Sequence, residues 1–252
     1  QLDCVQLVDS SSNLCAHNII SVAESFSSKG PLVSILVTAH NSGEFIHTAI
    51  ESLLGQSYRN IEIIVIDDAS TDNTVEIIRS YAQNDSRIKL IELETNVGTF
   101  VAKTKGLSVA QGKFVTCHDS DDWAHPRKIE LQVEPLLCNQ QLVFTTSQWI
   151  RMQDDGSLYA RKIYPALRLN PASPMFRKDI VLEKAGCWEQ VRTGADSEFL
   201  ARLKIIFGEQ AMYQIKKPLT IGAHRSNSLM NDSLTGYSSY EGSKQRLEYW
   251  ES

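Results

Sequence analysis

The sequence of 252 residues contains no Cys-x-x-Cys pair, and its five cysteines (Cys4, Cys15, Cys117, Cys138, Cys187) are odd in number and scattered. That spacing speaks against a zinc site and a disulfide framework, and it fits a reducing compartment, which points to the cytoplasm. Apolar runs of membrane-crossing length are also missing: the longest are the size of a strand, so no membrane span is expected. Basic residues are not in excess. A formal charge of −5 leaves no electrostatic footprint for nucleic acid, although a few local Lys or Arg and a cation could still neutralise a phosphorylated ligand. Two familiar phosphate loops are absent as well. No Gly-x-Gly-x-x-Gly follows the first apolar run, which excludes a dinucleotide site of the dehydrogenase kind, and no Gly-x-x-x-x-Gly-Lys-Ser/Thr loop occurs. Phosphate would have to be held by other means, with a metal ion the obvious candidate. The chain opens on Gln1 without the charged-then-apolar pattern of a secretory leader, and it is expected to be part of a longer polypeptide with other modules.

What is present is ordinary globular material, 42% hydrophobic and 22% charged, enough for one sizeable domain or two small ones. Residues 1–30 are rich in Ser and end on linker chemistry at Lys29-Gly30-Pro31, with a short helix expected within Asn18 to Phe26. Order begins at Leu32 to Val37, a β-branched run of the kind that forms a strand buried on both faces. Ile46, Ala49, Ile50, Leu53 and Leu54 then recur at helical spacing. Ile61 to Ile66 is a second strand ending on Asp67-Asp68, followed by a helix with Val75, Ile78 and Tyr81. Ile88 to Leu93 is a third strand, Gly98 to Val109 a helix, and Lys113 to Cys117 a fourth strand. Strand and helix alternate over about a hundred residues, which predicts right-handed βαβ units and a parallel sheet. Further on, a helix carries Ile129, Val133 and Leu137, and a strand covers Leu142 to Thr146, leading to a hairpin turning at Asp154-Asp155-Gly156. Tyr164 to Pro174 is irregular. Helices are expected over Asp179 to Ala185 and Ala195 to Phe207, the second with Phe199, Leu200, Leu203 and Ile206 inward, and strands over Met212 to Ile215 and Leu219 to Ile221.

The stretch His118-Asp119-Ser120-Asp121-Asp122 stands at the end of the fourth strand. Carboxylates packed this closely repel one another, so hydrogen-bond donors, water or a cation must offset the repulsion, and hard oxygen ligands suit Mg²⁺ or Mn²⁺. An acidic turn before a helix would look the same. In open parallel sheets ligands bind beyond the carboxyl ends of the strands. The topology therefore brings Thr38 to Asn41, Asp67-Asp68 and His118 to Asp122 to one edge.

Val33-Ser34-Ile35-Leu36-Val37-Thr38-Ala39-His40-Asn41, Ser52-Leu53-Leu54-Gly55-Gln56-Ser57-Tyr58, Glu62 to Asp72, Asn96-Val97-Gly98, Gly112-Lys113-Phe114 and His118 to Trp123 together resemble the family 2 glycosyltransferases. The likeness runs in strict order from Pro31 to Trp123 and more loosely to His224. It implies an α/β GT-A fold, a Rossmann-like, mostly parallel sheet with helices on both faces and a smaller, mixed acceptor-binding half. The domain would span residues 31–235, with a nucleotide-sugar half at 31–125 and an acceptor and base half at 126–235. Residues 236–252 would be a closing helix or the start of a connection.

The resemblance further implies inverting transfer from a nucleotide-diphosphate sugar, a UDP-sugar by preference, to a saccharide or glycolipid acceptor, with Mn²⁺ or Mg²⁺. It would place Thr38, Ala39, His40, Asn41, Glu44, Asp67 and Asp68 around the nucleoside and Lys103 near the nucleotide. Asp119, Ser120 and Asp121 would form the acidic motif, with Asp121 the direct metal ligand. Asp196 would stand where the family carries its base. His224 would complete the metal shell or touch diphosphate, or be an ordinary loop histidine. Arg225 would pair with phosphate or lie in a surface ion pair, and Trp123 would flank the sugar or simply pack. The sequence departs from the family at Thr38-Ala39-His40-Asn41, at Thr104 and at Ala195, where only the Asp of a usual Glu-Asp pair is kept. A peripheral place at the inner face of a bacterial membrane, in a polysaccharide-building enzyme, follows from likeness alone. Two other functions compete: a nucleotidylyltransferase, which would want a Gly-rich, Arg-bearing loop after the first strand, and a nucleotide-sugar or glycan-binding module without catalysis.

Overall fold

The structure, a computed structural model, describes residues 5–7, 15–16, 19–21, 30–160, 165–191, 193–224 and 244. In chain order the strands are β1 (Val5–Leu7), β2 (Ile19–Ser21), β3 (Val33–Ala39), β4 (Ile61–Asp67), β5 (Ile88–Glu92), β6 (Phe114–Asp119), β7 (Trp123–Ala124), β8 (Phe144–Met152), β9 (Leu158–Tyr159), β10 (Arg168–Leu169), β11 (Met175–Arg177) and β12 (Met212–Ala223). The helices are α1 (Ile46–Leu54), α2 (Thr74–Asn84), α3 (Thr99–Val109), α4 (Lys128–Cys138), α5 (Lys178–Lys184) and α6 (Ala195–Phe207). One sheet runs β5-β4-β3-β6-β11-β8-β12-β7, with β9 and β10 both paired to β8. Its first four strands are parallel, as the alternation predicts, and antiparallel β11 joins them to the second half through β6 on one side and β8 on the other.

Side chains alternate across this sheet and fill two cores. Ile35, Val37, Ile63 and Val65 face α1, α2 and α4, while Leu36, Ile64, Ile66 and Val115 face α3, α5 and α6. Helices on both faces explain why β3 and β4 read as continuous apolar runs rather than alternating ones. Gly106 sits in the middle of α3 because the helix lies so close to the sheet: a Cβ there would come within 2.6 Å of Ile66 Cδ1.

Several expectations are corrected. Within Asn18 to Phe26 the described residues Ile19–Ser21 form strand β2, paired antiparallel to β1, and not a helix. Ile19 and Ile20 are β-branched and take the extended pairing when a partner strand is at hand. On α4 the buried stripe is Ile129, Val133 and Leu136, whereas Leu137 is 44% exposed because it turns away in the last turn. Ile206 on α6 is likewise an exposed end residue. The two short strands expected near the end are one strand, β12, whose register slips around Pro218 because proline has no N–H for the ladder. The irregular stretch after Tyr164 contains the short strand β10. Of residues 236–252 only Lys244 is among the described residues.

One polar knot within the core was not anticipated. Glu62 lies inside β4, its carboxylate accepting from Ser34 Oγ (2.5 Å), Lys89 Nζ (2.7 Å) and the Gln111 and Gly112 amides (2.6 and 3.1 Å). Burial works to raise its pKa, but the hydrogen bonds from Lys89, Ser34 and Gln111 outweigh it and hold the carboxyl below its usual 4.5. A depressed folded pKa stabilises the fold above the unfolded value and loses that stabilisation as pH falls through the folded one. Glu62→Gln is expected to cost about 1–3 kcal/mol at neutral pH, where buried donors lose a charged acceptor. Thermal melting across the acid range should show this difference shrinking below pH 4.5.

Candidate active site

The ends of β3, β4 and β6 lie side by side. Ala39 is in register with Asp67 on β4, and Thr38 with Asp119 on β6. The three polar segments predicted to meet at one edge do meet there. Two residues at this edge adopt positive φ without being glycine, Asn41 at +48° and Ala69 at +58°. Such backbone is uncommon for side-chain-bearing residues and concentrates at functional turns. Asn41 is held by its own side chain, whose Oδ1 accepts from the Thr71 amide at 2.8 Å.

Asp67 is 2% exposed; one carboxylate oxygen accepts from the Ser70 amide at 2.9 Å. Its other oxygen, Oδ1, is buried with no hydrogen-bond partner among the described residues. A buried acceptor left open in this way is costly unless a ligand supplies the donor. Asp68 behaves differently. Its two oxygens accept from the Val97 and Gly98 amides, each at 2.8 Å. Both are therefore engaged at the start of α3, where Asp68 anchors the helix. His40 donates from Nδ1 to the Asp68 carbonyl at 2.8 Å. Thr38 shares a hydroxyl hydrogen bond of 2.7 Å with Thr99, and Glu44 is exposed at the approach to α1.

On β6 the acidic turn is partly tied down by its own chain. Ser120 is buried with its hydroxyl on Ser42 at 2.9 Å, so it fastens the turn to the segment before α1. Asp122 is 4% exposed, and its Oδ1 accepts from the Ala223 amide at 3.1 Å. Burial, with Asp121 and Asp119 close by, pushes its pKa well above the usual carboxylate value. Asp119 and Asp121 are half-buried. Trp123 is 3% exposed and packs edge-on to His125, in keeping with the packing alternative. His224 follows directly on Ala223, stacked on Tyr159 with ring centroids 3.7 Å apart. Arg225 lies outside the described residues.

The contact that sequence reasoning missed crosses the two halves. Lys103 of α3, 1% exposed, donates from Nζ to both oxygens of Asp196 at the start of α6, at 2.9 and 3.0 Å. Lys103 is thus engaged with Asp196. Trp188 adds a further hydrogen bond to Asp196, and Lys103 Nζ lies 5.9 Å from the Trp188 ring centroid and 5.3 Å from that of Phe100. Burial raises the Asp196 pKa and the charge of Asp119 adds to that, while Lys103 pulls the other way, for a net rise. Lys103 itself is held protonated: burial disfavours its charge, but Asp196, Cys117 and Asp119 together prevail. Nothing in the spacing of residues 103, 188 and 196 announces this arrangement.

Against known proteins, residues 34–198 match the model of Glycosyl transferase family 2, and the chain belongs to that family. It is 44% identical over 127 residues to an uncharacterised glycosyltransferase of Haemophilus influenzae, covering 50% of each chain. It is 37% identical over 127 residues to the putative teichuronic acid biosynthesis glycosyltransferase TuaG of Bacillus subtilis, again covering 50% of each. The chain therefore spans about half the length of these curated relatives. Among solved structures, S. aureus TarS in complex with UDP-GlcNAc superposes with a TM-score of 0.64 at 18% identity, covering 78% of this chain and 59% of that one. A mannosyltransferase from Pyrobaculum calidifontis, in complex with GDP-Man and Mn²⁺, gives 0.58 at 18% identity, covering 81% and 59%. The fold is GT-A. Among the described residues no helix is long and apolar enough to cross a membrane.

Proposed function

We propose that the chain is the catalytic part of an inverting glycosyltransferase. It would move a hexosyl or N-acetylhexosaminyl group from a nucleoside-diphosphate sugar, a UDP-sugar by preference, to a hydroxyl of a saccharide or glycolipid acceptor during polysaccharide synthesis. The observation that carries this reading is the Lys103–Asp196 pair. It brings a largely buried carboxylate from the second half of the chain across to the end of β6, within electrostatic reach of Asp119. Family membership and the nucleotide-sugar complexes of the structural neighbours support the same reading.

In this reading the open Oδ1 of Asp67 accepts from an N–H of the nucleobase, with the Thr38–Asn41 segment and Glu44 along the nucleoside. Asp119 and Asp121 offer hard carboxylate oxygens, which suit Mn²⁺ or Mg²⁺. No group of three or more His, Cys, Asp or Glu forms a ready-made cage among the described residues. That fits a cation shared between one or two carboxylates and substrate phosphates. Asp121 would hold the ion, with His224 beside it, and the bound ion would stabilise the charge that develops on the departing diphosphate. Asp196 takes the proton of the acceptor hydroxyl as its oxygen bonds to the anomeric carbon, while the bond from that carbon to the diphosphate breaks on the opposite face. Lys103 and Trp188 hold the Asp196 carboxylate in one orientation. The pair has a cost for basicity, since an adjacent ammonium lowers proton affinity, and burial offsets it.

Calorimetric titration with UDP, GDP, CDP and dTDP, with and without Mn²⁺, tests the proposal. One nucleotide is expected to bind, and more tightly with Mn²⁺. Absence of binding by all four in the presence of metal would overturn it.

A further inference from the structure

Beneath the acidic turn, on the face of the sheet that α1 and α4 cover, lies a second cation with no role in the reaction just proposed. Lys128 is the first residue of α4 and is 1% exposed. Its Nζ donates to His118 Nδ1 at 3.2 Å and to the Cys117 carbonyl at 3.5 Å, so among the described residues its hydrogen bonds reach no carboxylate. His118, 2% exposed, passes the contact on: its Nε2 donates to the carbonyl of Asp122 at 3.0 Å. The donor at Nε2 and the acceptor at Nδ1 define one neutral tautomer, and burial with Lys128 alongside keeps His118 from taking a proton.

An ammonium enclosed without a contacting carboxylate is costly and persists where nearby negative charge compensates it. The groups facing Lys128 are Cys117, His118, Asp119 and Asp122, and the two carboxylates act to retain its charge. Burial draws the Lys128 pKa down to about 8, which still leaves it mainly charged at neutral pH. Arg151, 4% exposed, is a third buried cation: Asp122 and Asp121 act to retain its charge and it lowers the Asp122 pKa in return, while its Nη2 donates to the Ala223 carbonyl at 3.0 Å. Lys128 is the one joined to β6 itself. Its charge sits below the strand end, on the side opposite Lys103 and Asp196.

We propose that Lys128 is a positioning residue whose buried ammonium is an internal counter-charge of the Asp119–Asp122 turn, holding that turn through His118. Its consequence for metal rests on the reading of Asp121 as a cation ligand; its consequence for the turn does not. With this counter-charge in place the acidic turn keeps its shape before a donor and cation arrive. Without it the carboxylates would repel one another with less opposition, and the fold would lean more on an added cation.

Lys128→Met, Asp122→Asn and the double variant, melted with and without Mn²⁺, test this. Lys128→Met keeps the length of the side chain and removes the charge, and it is expected to lower Tm by several degrees. Adding Asp122→Asn should recover at least half of that loss, because one of the opposed charges is gone. Additive losses would make Lys128 a packing residue and overturn the proposal. Mn²⁺ is expected to raise the Tm of Lys128→Met more than that of the wild type, and equal, nonzero shifts would also overturn it. If Mn²⁺ shifts neither protein, the cation reading fails while the Asp122→Asn rescue still decides on Lys128. Should Lys128→Met not fold, the double variant decides alone: folded supports the counter-charge, unfolded overturns it.

Discussion

Asp196→Asn is expected to lower turnover by roughly 10²- to 10⁴-fold, the usual contribution of a positioned general base. Nucleotide binding should stay close to that of the wild type. Asparagine has nearly the shape of aspartate and keeps one oxygen for Lys103, so the start of α6 should remain in place. What disappears is the capacity to take a proton. The geometry makes this a clean test, because Asp196 is 21% exposed at its side chain while Lys103 behind it is 1% exposed. One side of the carboxylate is therefore fixed by the protein and another is left toward an acceptor. A fall in donor binding equal to the fall in turnover would make Asp196 a structural partner of Lys103 and remove it from the chemistry. Unchanged turnover would have the same effect.

Asp121→Ala addresses the other half of the reaction. It is expected to abolish the part of nucleotide binding that depends on Mn²⁺ and to lower turnover by about 10²- to 10³-fold, equivalent to several kcal/mol of charge stabilisation on the departing diphosphate. Metal-independent binding through Asp67 should survive, since Asp67 belongs to β4 and owes its place to the Ser70 amide rather than to the acidic turn. Titration of the variant with and without Mn²⁺ separates the two contributions. If the Mn²⁺ dependence persisted in Asp121→Ala, the ion would have to be held elsewhere, with Asp119 the next residue to test. The variant also lowers local repulsion, because Asp121 is one of the charges that raise the Asp122 pKa. Its fold should consequently be no less stable than that of the wild type without metal, and a marked loss of stability would argue that Asp121 is needed for the shape of the turn.

Much of this protein follows from its sequence. The apolar runs at Leu32–Val37 and Ile61–Ile66, with helical spacing between them, determine a parallel sheet covered on both faces. A sheet of that kind places Thr38, Asp67 and Asp119 at one edge, because parallel strands end together and the backbone period leaves little freedom. Periodicity was a weaker guide at element ends. Leu137 and Ile206 continue an apolar pattern into last turns that lie clear of the sheet.

The tertiary structure alone decided which of these polar residues are open and which are spoken for. Asp67 and Asp68 are neighbours of the same type, yet Asp68 has both oxygens on the amides of residues 97 and 98, while Asp67 keeps one oxygen open. Lys103 and Asp196 are separated by 93 positions, and Lys128 lies ten residues from the His118 ring that it meets. Local sequence sets the backbone path and the class of each side chain. The partner of a buried charge is chosen by which surfaces the packed layers press together, and no local pattern encodes it.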